Sequence, residues 1–251
     1  MSDIAVTEAV DHVVTIEIRR PPNNYFDTAL IIAIADALDS LAAADCRAVV
    51  LCSEGRHFCA GADFQQPAQP AAAGAHLYEA AIRLFEQPLP IVAAVQGAAI
   101  GGGLGLALAA DFRVASPAAR FAANFAQLGF HHGFGLTVTL PLAVGHRAAL
   151  DLLYTGRRVD ADEALLLGLC DRIAPAEELR HVAVEHAAAI AASAPLAVRS
   201  IRQTMRGPLV DQIRAATAKE RAEQERLMAT ADWREGCAAA AARRPPTFTG
   251  R

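Results

Sequence analysis

The chain has 251 residues, 53% of them hydrophobic by type, with 23 Lys and Arg against 27 Asp and Glu and a formal net charge of −4. That length supports a large core in one domain with a tail or in two, and the acidic balance excludes a general nucleic-acid binder. Cysteines 46, 52, 59, 170 and 237 form no CxxC or paired spacing, which argues against a disulfide framework or a zinc site, and MSDIAVTEAVD lacks the regions of a signal peptide, so a reducing cytoplasm is expected.

Residues 4–8 and 12–18 alternate in the β manner and predict a hairpin turning near Ala9 to Asp11. RRPPNN at 19–24 stops the second strand, because proline cannot continue a ladder. Asp27 is placed to cap a helix to about Ala43, with Leu30, Ile31, Ile34, Leu38 and Leu41 on one face. RAVVLC (47–52) is a continuous apolar run, the pattern of a buried parallel strand, and SEGRHFCAGADF follows as a loop. A helix is expected over about 72–86 and is broken by PLP at 88–90.

The stretch IVAAVQGAAIGGGLGLALAAD (91–111) is long enough to span a bilayer. Gln96 in mid-run, the helix-weakening glycines and the missing basic flank favour a strand, a glycine turn and a buried helix to about Ala110. Strand, helix and strand in that order predict right-handed βαβ crossovers. Further strands are expected at 112–116, 119–123 and 170–173, with helices at about 136–143, 147–154 and 162–167. From Pro175 on the pattern is helical: 176–192, 196–206, 209–229 and 232–242, separated at Pro195, Gly207-Pro208 and Asp232. No repeat of solenoid period is present.

Several functional signatures are missing. The glycine turn is not GxGxxG, and there is no GxxxxGK[ST], HExxH or GxSxG. A glycine turn between strand and helix still offers backbone N–H groups to a ligand, aided by the helix dipole.

Two segments together carry a resemblance. HFCAGADF (57–64), followed about 40 residues later by QGAAIGGGLGLALAADFRVAS (96–116), resembles the enoyl-CoA hydratase/isomerase (crotonase) superfamily. The likeness continues through 155–173 and 231–251. It implies an α/β fold, a crotonase (ClpP-like) spiral of ββα units over 1–193, and a helical oligomerisation region over 194–251 that forms a homotrimer or a hexamer of two trimers. It also implies an acyl-CoA thioester substrate that brings its own coenzyme A, no further cofactor or metal, no nucleic-acid or membrane partner, and a place in fatty acid metabolism.

By that resemblance the backbone N–H groups of Ala62 and Gly102 form an oxyanion hole, and the physics agrees. A thioester enolate concentrates charge on one oxygen, and two preorganised donors lower its barrier by several kcal/mol. Ala60, Asp63 and Phe64 fall where the family's loop contacts coenzyme A; Ile100, Gly101, Asn124, Phe125 and Leu128 are the other substrate-binding candidates. The chain departs from the family at the acid and base. Hydratases carry a glutamate two residues after the triple glycine and another after the next strand. Here those positions are Gly105 and Phe125, so simple hydration loses proton-transfer groups worth about 10²–10⁴-fold each.

GFHHGFG (129–135) supplies the replacement candidates. His132 falls where other family members carry an active-site aspartate and is the first acid/base candidate; His131 is the second. The competing reading is that both histidines hold the turn or a subunit contact. Asn124 serves either to orient a water or carbonyl or to cap a strand end. His57 reads as a loop-stabilising donor, Cys59 as a buried thiol, Tyr25 and Phe26 as walls of the acyl pocket, and AKERAEQER (218–226) as a solvated face. The expected activity is enolate chemistry on an acyl-CoA: isomerisation, C–C cleavage or restricted hydration. The alternatives are a CoA-thioester or β-diketone hydrolase, and a non-catalytic acyl-CoA-binding or scaffold protein.

Overall fold

In the computed structural model, which describes residues 2–63 and 77–251, the expected spiral of ββα units is present. Six strands form the main sheet: β1 (Ile4–Val10), β2 (Val13–Ile18), β3 (Ala48–Ser53), β4 (Ile91–Val95), β6 (Phe112–Ala115) and β8 (Arg172–Ile173), in that spatial order. The β1–β2 pair is antiparallel and every later pair is parallel. A second small sheet pairs β5 (Ala98–Ile100) with β7 (Arg120–Ala122), and Cys59 bridges onto Ala99 at its edge. Successive turns of the spiral therefore leave a long strand in one sheet and a short extended segment in the other.

Strand residues alternate between two cores, because the main sheet is covered on both faces. Ile16, Val49, Leu51, Ile91 and Ala93 pack toward α1 (Thr28–Ala42), α2 (Leu77–Glu86) and α3 (Gly102–Ala109). Val13, Val50, Cys52, Val92 and Val114 face Leu179, Ala183, Ala187 and Ala191 of α7 (Leu179–Ala191). The helices α4 (Leu136–Val144), α5 (His146–Thr155) and α6 (Ala161–Leu167) lie between, and α8 (Pro195–Met228) and α9 (Ala231–Ala241) follow. Asp27 caps α1 as expected, accepting from the Leu30 N–H at 2.8 Å.

Three expectations are corrected, and one element was not anticipated. The hairpin turns at Asp11–His12 rather than at 9–11, since a bulge between Glu8 and Val10 lengthens β1 and His12 takes φ +65°. The glycine turn contains β5, because residues 98–100 find a partner only in distant β7. Ala126–Leu128 forms a 3₁₀ turn that no periodicity announced. The expected break at Gly207-Pro208 is absent, and α8 runs unbroken through it. Gly207 has no Cβ to clash with the proline ring, and the helix is anchored before it by Arg202 and after it by buried Ile213, Thr217 and Glu220. The expected helix over 72–86 is described from Leu77; its first five residues lie outside the described part. No single helix among the described residues is long and apolar enough to cross a membrane.

Candidate active site

Chain segments far apart in sequence lock the CAGAD loop beside β5. Cys59 donates its N–H to the Ala98 carbonyl at 2.9 Å and accepts from the Ile100 N–H at 3.0 Å. A Cβ at Gly103 would stand 2.1 Å from the Cys59 carbonyl oxygen, so this approach requires glycine. On the other side, the Ala60 N–H donates to Asn23 O and the Phe26 N–H to Gly61 O, each at 3.0 Å. His57 stabilises the loop, though as an acceptor rather than the expected donor: its Nδ1 accepts from the Ala98 N–H at 3.3 Å, and burial, then the Arg56 charge, lowers its pKa. Burial pushes the Cys59 thiol up to about 12, consistent with an inert sulfur.

Asn24 ties the loop together from below. Wholly buried at φ +49°, it donates to Glu54 O at 2.8 Å and His57 O at 2.6 Å, and accepts from the Arg20 N–H at 3.0 Å. Asn24→Ala removes these bonds and places alanine in a left-handed backbone; the expected loss is about 2–4 kcal/mol, read as a lower thermal midpoint.

These contacts present Ala62 opposite the start of α3. Gly102 is the first residue of that helix, after Gly101 at φ +58°, so its N–H has no partner within the helix. Neither the Ala62 nor the Gly102 N–H has an acceptor among the described residues. Both residues line one cavity of about 540 Å³. Ala60, Asp63, Ile100, Gly101, Asn124, Phe125 and Leu128 line it too, and Tyr25 and Phe26 wall it as expected. Phe64 lies outside the described residues.

Aromatic rings fill the wall beyond the paired N–H groups. Phe26 and Phe134 meet edge to face at 5.5 Å between ring centres, and Phe125 packs on Phe130 at 5.4 Å. A Cβ at Gly105 would lie 2.6 Å from Phe134 Cβ, so the space a carboxylate at 105 would need is taken by that ring. Phe125 occupies the second site expected to lack a carboxylate. Asp63 is the sole carboxylate lining the cavity among the described residues; burial, then its charge, raises the pKa of the Tyr25 phenol.

The two histidines fall beside this cavity and not in its lining; Phe130, Gly133 and Phe134 are the residues of their loop that line it. His131 Nδ1 donates to the His132 carbonyl at 2.8 Å, and the two rings stack at 4.1 Å. His132 Nε2 lies 2.8 Å from Thr137 Oγ1, whose hydroxyl donates to Glu220 at 2.6 Å. That hydroxyl has one proton, so Nε2–H is the donor to Thr137 and the tautomer is fixed. Burial, then neighbouring His131, lowers the His132 pKa to about 4.

Glu220 corrects the reading of 218–226 as a wholly solvated face. It is fully buried and accepts from the Gly135 and Thr137 N–H groups, each at 2.9 Å, capping α4 from another helix. Surface pairs form around it, Arg221 with Glu225 at 2.8 Å and Arg226 with Glu223 at 2.7 Å. Tyr78, Gln224, Met228 and Cys237 also line the cavity and had no motif to mark them.

Residues 8–251 match the family model described as enoyl-CoA hydratase/isomerase. The crystal structure of an enoyl-CoA hydratase/isomerase from Pseudoalteromonas atlantica superposes with a TM-score of 0.91 at 32% identity, covering 99% of this chain and 100% of that one. A carnitinyl-CoA dehydratase of Proteus mirabilis is 36% identical over 81% of each chain. An enoyl-CoA isomerase/hydratase of Mycosarcoma maydis is 34% identical over 82% of this chain and 77% of its own.

Proposed function

This chain belongs to the enoyl-CoA hydratase/isomerase family, and from that premise we propose that it binds an acyl-CoA thioester with the carbonyl oxygen between the N–H groups of Ala62 and Gly102, and stabilises the enolate formed at Cα. One observation carries the proposal: Ala62 and Gly102, whose N–H groups have no acceptor among the described residues, line the same apolar cavity between interlocked segments. Deprotonation at Cα moves charge onto the thioester oxygen, and fixed donors in a dry site stabilise that charge without reorganising. Coenzyme A arrives with the substrate, and no further cofactor takes part.

Paired-carboxylate hydration is not the reaction proposed, because Gly105 and Phe125 bring no carboxylate and Phe134 covers the first position. His132, with His131 beside it, is kept as the candidate acid/base of this reading. Its Nε2–H is tied through Thr137 to Glu220, which leaves Nδ1 with the lone pair that a proton acceptor needs. The homotrimer or hexamer belongs to the same proposal, supported by the exposed apolar side chains Leu196, Ile201 and Met205 along α8.

Incubating enoyl- and 3-oxoacyl-CoAs with the protein in D₂O tests the reading by mass spectrometry. The expected result is deuterium at Cα without matching hydration. Exchange unchanged in His132→Ala removes the imidazole from the chemistry, and hydration as fast as exchange overturns the account of the missing glutamates. A second reading, acyl-CoA binding without proton transfer, is favoured by the position of both histidines outside the lining, and is supported by tight binding with no exchange. Release of free coenzyme A would instead support the thioester hydrolase.

A further inference from the structure

We infer that Phe134 is the specificity-determining residue of the acyl pocket and confines it to acyl groups unbranched at Cα and Cβ. The inference rests on the acyl-CoA reading above and names the substrate class that the site would take.

Phe134 lies beside the atoms that would react. A Cβ built on Gly102 meets Phe26 Cζ first, at 2.4 Å, and Phe134 Cδ2 at 3.6 Å, so a thioester whose oxygen meets the Gly102 N–H would have its first acyl carbons against this pair of rings, Phe134 on the side of Gly105. On its other side the ring closes onto Gly105, where a Cβ would be 2.8 Å from Cγ and Cδ1. Phe26 meets it edge to face, so the ring cannot swing that way without displacing a second aromatic.

The ring is held there by helix α8. Phe134 has φ +63°, a backbone conformation that bulky side chains rarely adopt. The residues on either side of it are fastened. Glu220 accepts from the Gly135 and Thr137 N–H groups, while Gln224, one helical turn further on, donates to His131 O at 2.9 Å. Gln224 Oε1 accepts from the Tyr78 hydroxyl at 2.6 Å, and that hydroxyl is itself reached by the Phe134 N–H. Tyr78, Glu220 and Gln224 thus act as positioning residues for an uncommon backbone geometry that aims one ring at the substrate.

The test compares dissociation constants for matched straight and α- or β-methyl-branched acyl-CoAs. In Phe134→Ala the branched members should gain at least tenfold in affinity relative to the straight ones. Phe134→Leu keeps most of the volume and should move the ratio less, in the same direction, which covers the case of an alanine variant that does not fold. Glu220→Gln lies outside the cavity lining and should shift the same ratio if the clasp positions the ring; a merely structural role would lower stability and leave the ratio alone. A ratio unchanged in both Phe134 variants while straight acyl-CoAs still bind overturns the inference alone. Failure of the unsubstituted protein to bind any member of the panel overturns the acyl-CoA reading and this inference with it, and is recognised as a loss across all substrates.

Discussion

Gly102→Pro is expected to slow α-proton exchange by about 10²–10³-fold, the usual effect of deleting one oxyanion donor. The substitution suits the test because of where Gly102 sits. It is the first residue of α3, the one helical position where proline is favoured, since the N–H it removes has no partner within the helix. The helix should therefore persist, with the circular dichroism spectrum unchanged. A side chain at 102 has a second effect: its Cβ would lie 2.4 Å from Phe26 Cζ, so the Phe26 ring must move. Gly102→Ala separates the two effects, because it displaces the same ring and keeps the N–H. The gap between the two variants measures the donor. Equal exchange rates in the alanine and proline variants would mean that Gly102 contributes no hydrogen bond to the enolate.

That comparison also marks where sequence patterns stop being informative. The buried strands and the cap of α1 follow from local rules: alternation between two covered faces at 48–53 and 91–95, and an acidic side chain just before the helix at Asp27. The loop at 59–62 and the start of α3 were legible as a pair through the resemblance to the crotonase superfamily, and the small residues of each let backbone approach backbone. The aromatic wall was only half legible. Gly105 stands out for the side chain it lacks, but nothing local says that Phe134, 29 residues on and in a left-handed conformation, fills the space. Glu220 was hidden for a related reason. Alternating charges along 218–226 describe a helix surface without saying which residue faces inward, and only the uncapped start of α4 creates a need for a buried carboxylate. At 131–132 the sequence offered both imidazoles as acid/base candidates. The Thr137 hydroxyl and the stacking of the two rings instead hold the imidazoles outside the lining, where Phe130, Gly133 and Phe134 of the same loop stand.

Asp111→Ala should be the most destabilising single substitution among those considered, costing about 3–5 kcal/mol, because it strips two buried guanidinium groups of their counter-ion. Asp111 follows α3 and sits beneath the first residue of β4. It accepts from the Ile91 N–H at 2.8 Å and from Arg202 Nε at 3.0 Å, and pairs through its other oxygen with Arg206. Their side chains are 13%, 8% and 14% exposed, so water cannot replace the lost partner. The cluster fastens α8 to the spiral core, and through α8 the Glu220 and Gln224 contacts that hold the pocket wall. Burial acts to raise the Asp111 pKa, but the charges of Arg202 and Arg206 outweigh it and hold the pKa below its ordinary 3.8. A carboxyl depressed in the folded state contributes stability above its unfolded value and loses it as pH falls through the folded one. Urea unfolding should therefore show a contribution from this cluster that is complete above about pH 4 and fades below it, and Asp111→Ala should abolish that part of the acid dependence. Asp111→Asn should fall between the two, keeping one acceptor without the charge. Replacing Arg206 by leucine in the alanine background should recover part of the loss, since one uncompensated charge is then removed. A loss below about 1 kcal/mol at neutral pH would show that the two guanidinium groups find other acceptors and that this cluster does not hold α8 in place.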